Sequence, residues 1–159
     1  MKSEIIPAAF SILLLLITLQ STAYYFGKLK LGFTQWLFFN PCAISNICFL
    51  IGFGLSLSKG DRTILHSPIL PMFFFGTMGI FFLPWYGMNI IPQAGHIIMT
   101  ANIALTIWTT LTSKDYRAAA IGLIIGVVIF TPFIALQQKY VRDHPQEFRR
   151  MLGGTELDN

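Results

Sequence analysis

The chain has 159 residues, of which 54% are apolar, 14% aromatic and only 11% charged, against roughly 25% charged in an average soluble domain. Together with a mean hydropathy of +0.63, this excludes an ordinary water-soluble globular domain. The net charge of +4 is spread over several flanks and not gathered on one face, so no nucleic-acid partner is expected.

All 18 charged residues fall in five patches (1–4, 28–30, 59–62, 114–117 and 139–159), which leaves uncharged runs at 5–27, 31–58, 63–113 and 118–138. A bilayer core about 30 Å thick takes roughly 20 residues of apolar helix. Three runs therefore supply one crossing each, and the run 63–113 supplies two. The expected fold is all-α, an integral multi-pass membrane protein with five transmembrane helices at about 5–27, 33–58, 68–86, 93–113 and 117–138. These form one domain over 1–138, followed by a polar C-terminal tail, 139–159.

The first helix ends in Ser21-Thr22-Ala23, small residues of the kind a signal peptidase reads, so a cleaved signal is one alternative. Its continuation through Tyr24, Tyr25 and Phe26, aromatics suited to a membrane interface, favours a retained span. In the second run, Pro41 either kinks the helix or occupies its first turn with Asn40 as N-cap. Counted from Pro41 to Ser58, the helix is about 27 Å long and barely spans, so it is expected to begin before Asn40 and kink. The long run divides where Pro84-Trp85-Tyr86-Gly87-Met88-Asn89 and Pro92-Gln93-Ala94-Gly95 cluster turn formers. The fifth helix carries Ala118, Gly122 and Gly126 at intervals of four, a small-residue face on which another helix can approach closely. In the tail, Gly153-Gly154 and the final acidic residues suggest fraying, with an amphipathic turn around Phe148, Met151 and Leu152.

Five crossings put the two ends on opposite faces, but the positive-inside rule leaves the orientation open. One face carries Lys2, Lys59, Arg62, Lys114 and Arg117; the other carries Lys28, Lys30, Lys139, Arg142, Arg149 and Arg150. Inside the spans there is no carboxylate, lysine or arginine, which counts against a proton pump, voltage sensor or ion-coupled transporter. CxxC, Walker, GxSxG and HExxH motifs are absent, and no cofactor or metal is expected. His66, beside Asp61 and Arg62, reads as a solvated flank residue, and His144 before Pro145 as a turn residue. Neither lies where a second haem ligand to His96 would be needed.

The groups left for chemistry are neutral and polar. Cys42 and Asn46 share one helix face at i, i+4, as do His96 and Thr100. A Cys beside a His is the minimum for an activated thiol nucleophile. Asn40-Pro41 and Pro92 open helices that run in the same direction, so Cys42 and His96 are expected at one depth in a polar pocket with Asn46 and Thr100. Against this stands the reading of Cys42 as a small buried hydrophobe and of His96 as an interfacial residue bonded to a carbonyl or water. Cys48 lies about 120° from Cys42 around a helix and is not placed to form a disulfide with it. The threonines of helix four read as interhelical hydrogen-bond formers.

The order Pro41-Cys42 in one helix, Phe74-Phe75-Gly76-x-x-Gly79 running to Pro84 in the next, and His96 opening the one after resembles the YwaF-like small integral membrane proteins over about residues 35–110. Some eukaryotic relatives of that family are acyltransferases that use a membrane Cys and His to move acyl chains between phospholipids. The resemblance implies that Cys42 matches the nucleophile and His96 its base. Three functions follow in order. The first is a non-catalytic subunit or scaffold that packs through its fifth helix against a second copy or another membrane protein. The second is a membrane-embedded, lipid-acting enzyme of the acyl-transfer type using Cys42 and His96. The third is a carrier or channel for a neutral or lipophilic solute. In each case membrane lipids are partners.

Overall fold

The structure is a computed structural model that describes residues 2–82, 85 and 90–151. Apart from Trp85, the turn placed at 84–89 lies outside the described residues, as do Leu152 and Gly153-Gly154. Every element described is helical, and five helices are long and apolar enough to cross a membrane. The chain is thus an all-α, small polytopic membrane protein. In chain order the elements are α1 (Lys2–Ala23, continued by a π-helical turn Tyr24–Lys28), α2 (Phe33–Phe39), α3 (Pro41–Lys59), α4 (Thr63–Phe82), α5 (Ile90–Ser113), α6 (Tyr116–Asp143) and α7 (Pro145–Met151).

Several boundaries differ from those expected, each for a local reason. The helix placed at 33–58 is two helices, because the residue before a proline is pushed out of the α region and Asn40 sits at φ −124°, ψ 55°. Helix three starts at Thr63 and not at 68. Gly60, at φ 71°, ends α3 with its N–H on the Ser56 carbonyl at 3.0 Å, and the Asp61 carboxylate accepts the Thr63 N–H at 2.8 Å. These two bonds turn the chain within four residues. Those hydrogen bonds from Thr63 also hold the Asp61 carboxyl below its ordinary value. Helix four begins at Ile90, with Pro92 in its first turn, where a missing N–H is tolerated. Helix five continues past 138 to Asp143 and stops at His144, which precedes Pro145. The seven tail residues Pro145–Met151 form α7, where Phe148 lies 5.9 Å from the Phe39 ring and Glu147 accepts a hydrogen bond from Gln35 at 3.1 Å.

The core is a cluster of Leu14 (α1), Phe49 (α3), Leu65 and Met72 (α4), and Met99 and Ile103 (α5). Around it, α4 is the pivot. Pro68 and Pro71 interrupt its ladder, and a π-helical stretch Met72–Thr77 follows. The Ile64 carbonyl, which the missing N–H of Pro68 leaves open, accepts from Ser67 N at 3.3 Å and Ser67 Oγ at 3.0 Å. Pro71 likewise gives no N–H to the Ser67 carbonyl, and that carbonyl lies on Gly126 of α6, where a Cβ would overlap it. Gly122 receives the Thr63 carbonyl and the His66 Cβ in the same way. On the other side of α4, a Cβ at Gly52 of α3 would come within 2.8 Å of the Leu65 backbone. Residues 63–67 are thus held at backbone distance between α3 and α6. The small-residue face of α6, with Ala118 half-buried at its start, is covered by the chain's own helix. The opposite side of α6 exposes Ile124, Val127 and Val128, as a lipid-facing surface does.

Candidate functional site

Cys42 stands in the first turn of α3, directly after the break at Asn40. Pro41 fills the first helical position, where its lack of N–H costs nothing. Asn40 caps through its backbone only, since its side-chain amide donates to Ser21 Oγ of α1 at 2.9 Å. Of the amides of this first turn, that of Ala43 donates to the Asn40 carbonyl at 3.0 Å, and the positive end of the helix dipole lies beside the Cys42 sulfur.

His96 is one turn and a half into α5, about 9 Å from Ile90 at 1.5 Å per residue. Its Nε2 lies 3.6 Å from Cys42 Sγ. On the other edge of the ring, Nδ1 lies 3.2 Å from Gln93 Oε1. The amide of Gln93 is oriented by its second contact, because Nε2 donates to the Gly79 carbonyl at 3.3 Å, which turns the oxygen toward His96. An amide oxygen only accepts, so Nδ1 carries the ring proton and the lone pair of Nε2 faces the thiol. That is the tautomer a base for Cys42 needs. The Cys42 thiol has a second acceptor in the Phe75 carbonyl at 3.5 Å.

The ring is wedged in place. A Cβ at Gly79 would come within 2.7 Å of His96 Cε1, and one at Gly76 within 2.8 Å of the Met99 methyl. The α4 glycines thus set how closely α5 brings His96 to Cys42. Gln93 is fully buried and His96 nearly so, while Cys42 is half-buried.

Of the four residues expected to share a pocket, Cys42 and His96 meet. Thr100 adjoins them by donating to the His96 carbonyl at 2.8 Å and meeting Thr77 Oγ1 at 3.0 Å. Asn46 does not join them: its Nδ2 donates to Thr18 Oγ1 of α1 at 3.1 Å, and its Oδ1 is buried without a partner among the described residues. Cys42 and Cys48 are both free. His66 corrects the reading of a solvated flank. It is 2% exposed, with Nδ1 at 2.7 Å from the Arg62 carbonyl and Nε2 at 2.7 Å from Thr110 Oγ1, so it braces α4 to α5. It was misread because α4 begins five residues earlier than expected. His144 ends α6, with Nδ1 at 2.9 Å from the Tyr140 carbonyl. All five threonine hydroxyls of α5 donate to the carbonyl four residues back, and only Thr100 and Thr110 also meet a side chain of another helix.

Gln93 is the site residue that sequence reasoning assigned to a turn. Its signal was the i, i+3 spacing to His96, which places both on one helix face. Among the described residues no group of three His, Cys, Asp or Glu side chains gathers as a metal site would require. No family model, no curated protein and no solved structure matches the chain.

Proposed function

We propose that this protein is a membrane-embedded enzyme of the acyl-transfer type acting on lipid esters, with Cys42 as nucleophile, His96 as general base and Gln93 as the residue that positions His96. The observation that carries this is the 3.6 Å approach of His96 Nε2 to Cys42 Sγ with the ring tautomer set by Gln93 from the far edge. A nucleophile, a base and an orienting group in line are the working parts of thiol acyl transfer. The order Pro41-Cys42 and His96, in which the chain resembles the YwaF-like proteins, supports the same reading. A scaffold function through the fifth helix needs a partner on the small-residue face of α6, and residues 63–67 already fill that face.

The chemistry balances with these groups alone. The Cys42 sulfur attacks the carbonyl carbon of an acyl ester while its proton passes to His96 Nε2. The oxyanion develops at the positive end of the α3 dipole, beside the Cys42 amide. Collapse breaks the ester C–O bond, and the departing alkoxide takes the proton from His96, leaving a thioester on Cys42. A second hydroxyl then attacks the thioester and gives its proton to His96. The C–S bond breaks, and the sulfur recovers that proton.

The test uses the full chain in nanodiscs of phosphatidylcholine with a labelled acyl chain. A hydroxylamine-labile label on Cys42 that is absent in Cys42→Ser and His96→Ala is expected. No adduct, with Cys42 and Cys48 reacting equally with a lipophilic maleimide, would reduce Cys42 to ordinary packing.

A further inference from the structure

In the half of the bundle opposite Cys42, a cleft of ≈ 890 Å³ opens between α1, α3, α4 and α5. It is separate from the Cys42 site. Phe49 and Asn102, which line it, lie about 9–11 Å along their helices from Cys42 and His96 at 1.5 Å per residue. Its volume falls in the range of sites that bind small organic molecules, roughly 300–1,000 Å³.

The wall of this cleft has a consistent chemistry. Thr106 and Thr109 have given their hydroxyl protons to the carbonyls of Asn102 and Leu105, at 2.8 and 2.7 Å. Asn102 has given its amide hydrogens to the carbonyls of Phe10 and Ile98, at 3.2 and 2.9 Å. What these side chains keep for a ligand is acceptor capacity, lone pairs that seek an O–H or N–H. Ser11, also lining the cleft, is 4% exposed with a buried hydroxyl that has no partner among the described residues. An unpaired polar group at membrane depth is costly, so the Ser11 hydroxyl favours a polar occupant.

The mouth is cationic. Arg62 and Lys114 line it with a single acid, Asp115, and Arg62 is tethered by its bond to Ser113 Oγ at 3.0 Å. Lys114 holds a left-handed backbone at φ 57° just past the end of α5. At the comparable end of α3 the chain uses Gly60, at φ 71°, the residue that geometry favours. Lys30, at φ 52°, shares this conformation, so Lys114 counts here through its place at the mouth. Inward from the mouth, Phe49 and Phe53 supply apolar wall.

We propose that this cleft binds a glycerol phosphate group. The phosphate sits at the mouth between Arg62 and Lys114, and a free glycerol hydroxyl donates to Thr109, the cleft threonine about one and a half turns from Lys114. Where the group belongs to a single-chain phospholipid, the acyl chain lies along Phe49 and Phe53. The site is independent of the chemistry at Cys42. Basic pockets between membrane helices take anionic headgroups on the same grounds.

The test is a thermal-shift titration of the full chain in phosphatidylcholine nanodiscs with lysophosphatidic acid and, separately, glycerol 3-phosphate. A saturable rise in melting temperature is expected with lysophosphatidic acid, weakened at least tenfold in apparent Kd by Lys114→Gln and by Thr109→Val, and unchanged in Cys42→Ser. Arg62→Gln should act like Lys114→Gln; because Arg62 also tethers Ser113, the exposed Lys114 decides if that variant does not fold. A matching shift with glycerol 3-phosphate alone would assign the site to a soluble phosphate ester, whereas no shift with it would assign the site to a lipid. Failure of both ligands to bind, or binding that Lys114→Gln and Thr109→Val leave intact, would overturn the proposal and make the cleft a water-filled vestibule.

Discussion

The two halves of this bundle treat their polar groups differently. Around Cys42 the polar groups close on one another: Cys42 on His96, His96 on Gln93, Gln93 on the Gly79 carbonyl, Asn40 on Ser21. Around Thr106 they close on their own helix backbone and turn their remaining lone pairs outward into a cleft. The first arrangement fixes a tautomer and a short approach, which is what a reaction needs. The second leaves capacity unused, which is what a binding site needs. In uncharged spans, the bonding of each polar group therefore says more than its identity does.

The largest expected effect breaks the closed half at its base. His96→Ala should lower acyl transfer by about 10²–10⁴-fold, the usual contribution of a general base, with binding at the far cleft unchanged; equal loss at both sites would mean the two halves are not separable. Next, Gly122→Leu should destabilise the protein by about 3 kcal/mol or more, since the Thr63 carbonyl and His66 Cβ occupy the space. Unfolding in mixed micelles measures it, and a change within error would mean that α4 and α6 are less tightly held than described. Gln93→Leu should cut kcat by about 10²-fold with KM nearly constant, because the ring loses its orienting partner without losing the base. In the open half, Ser11→Ala should leave stability unchanged or raise it by up to about 1 kcal/mol, as its hydroxyl has no partner among the described residues. A clear loss of stability would show that the cleft wall is already satisfied. The smallest effect concerns Asp61, which the bonds from Thr63 hold below the ordinary carboxylate value. Its contribution is present above the usual carboxylate pKa of about 3.9 and fades as pH falls through the lowered one. Asp61→Asn should flatten the acid limb of stability against pH, and identical limbs would remove the cap from the account of this turn.

The number of crossings was legible because charge is excluded from hydrocarbon, and the charged patches of the sequence fall at or near the helix ends. The meeting of Cys42 and His96 was legible for a related reason: two prolines mark helices that start on the same side of the membrane, so the residues just after them share a depth. Asn46 escaped this logic because depth says nothing about rotation about the helix axis, and Thr18 of α1 competes for it. Gln93 was hidden by its neighbours Pro92 and Gly95, which read as turn formers although a proline in a first turn is compatible with helix. His66 was misplaced because a charged patch was taken to mean a loop, when the turn occupies only 60–62. Gly52, spaced away from the i+4 series of α6, gave no pattern to notice. Only the packed structure shows that the Leu65 backbone rests on it.

Pro71 and Gly126 lie far apart in the sequence, yet one explains the other. Because Pro71 withholds a hydrogen from the Ser67 carbonyl, that oxygen needs company from outside its helix, and a glycine on α6 lets a backbone come close enough to offer Cα–H groups. The two positions are therefore coupled. Alanine at 126 should be tolerated better once 71 is a residue with an N–H, and a double-mutant cycle between them should return a non-additive term. The missing hydrogen on one helix and the missing side chain on another are two halves of a single close contact.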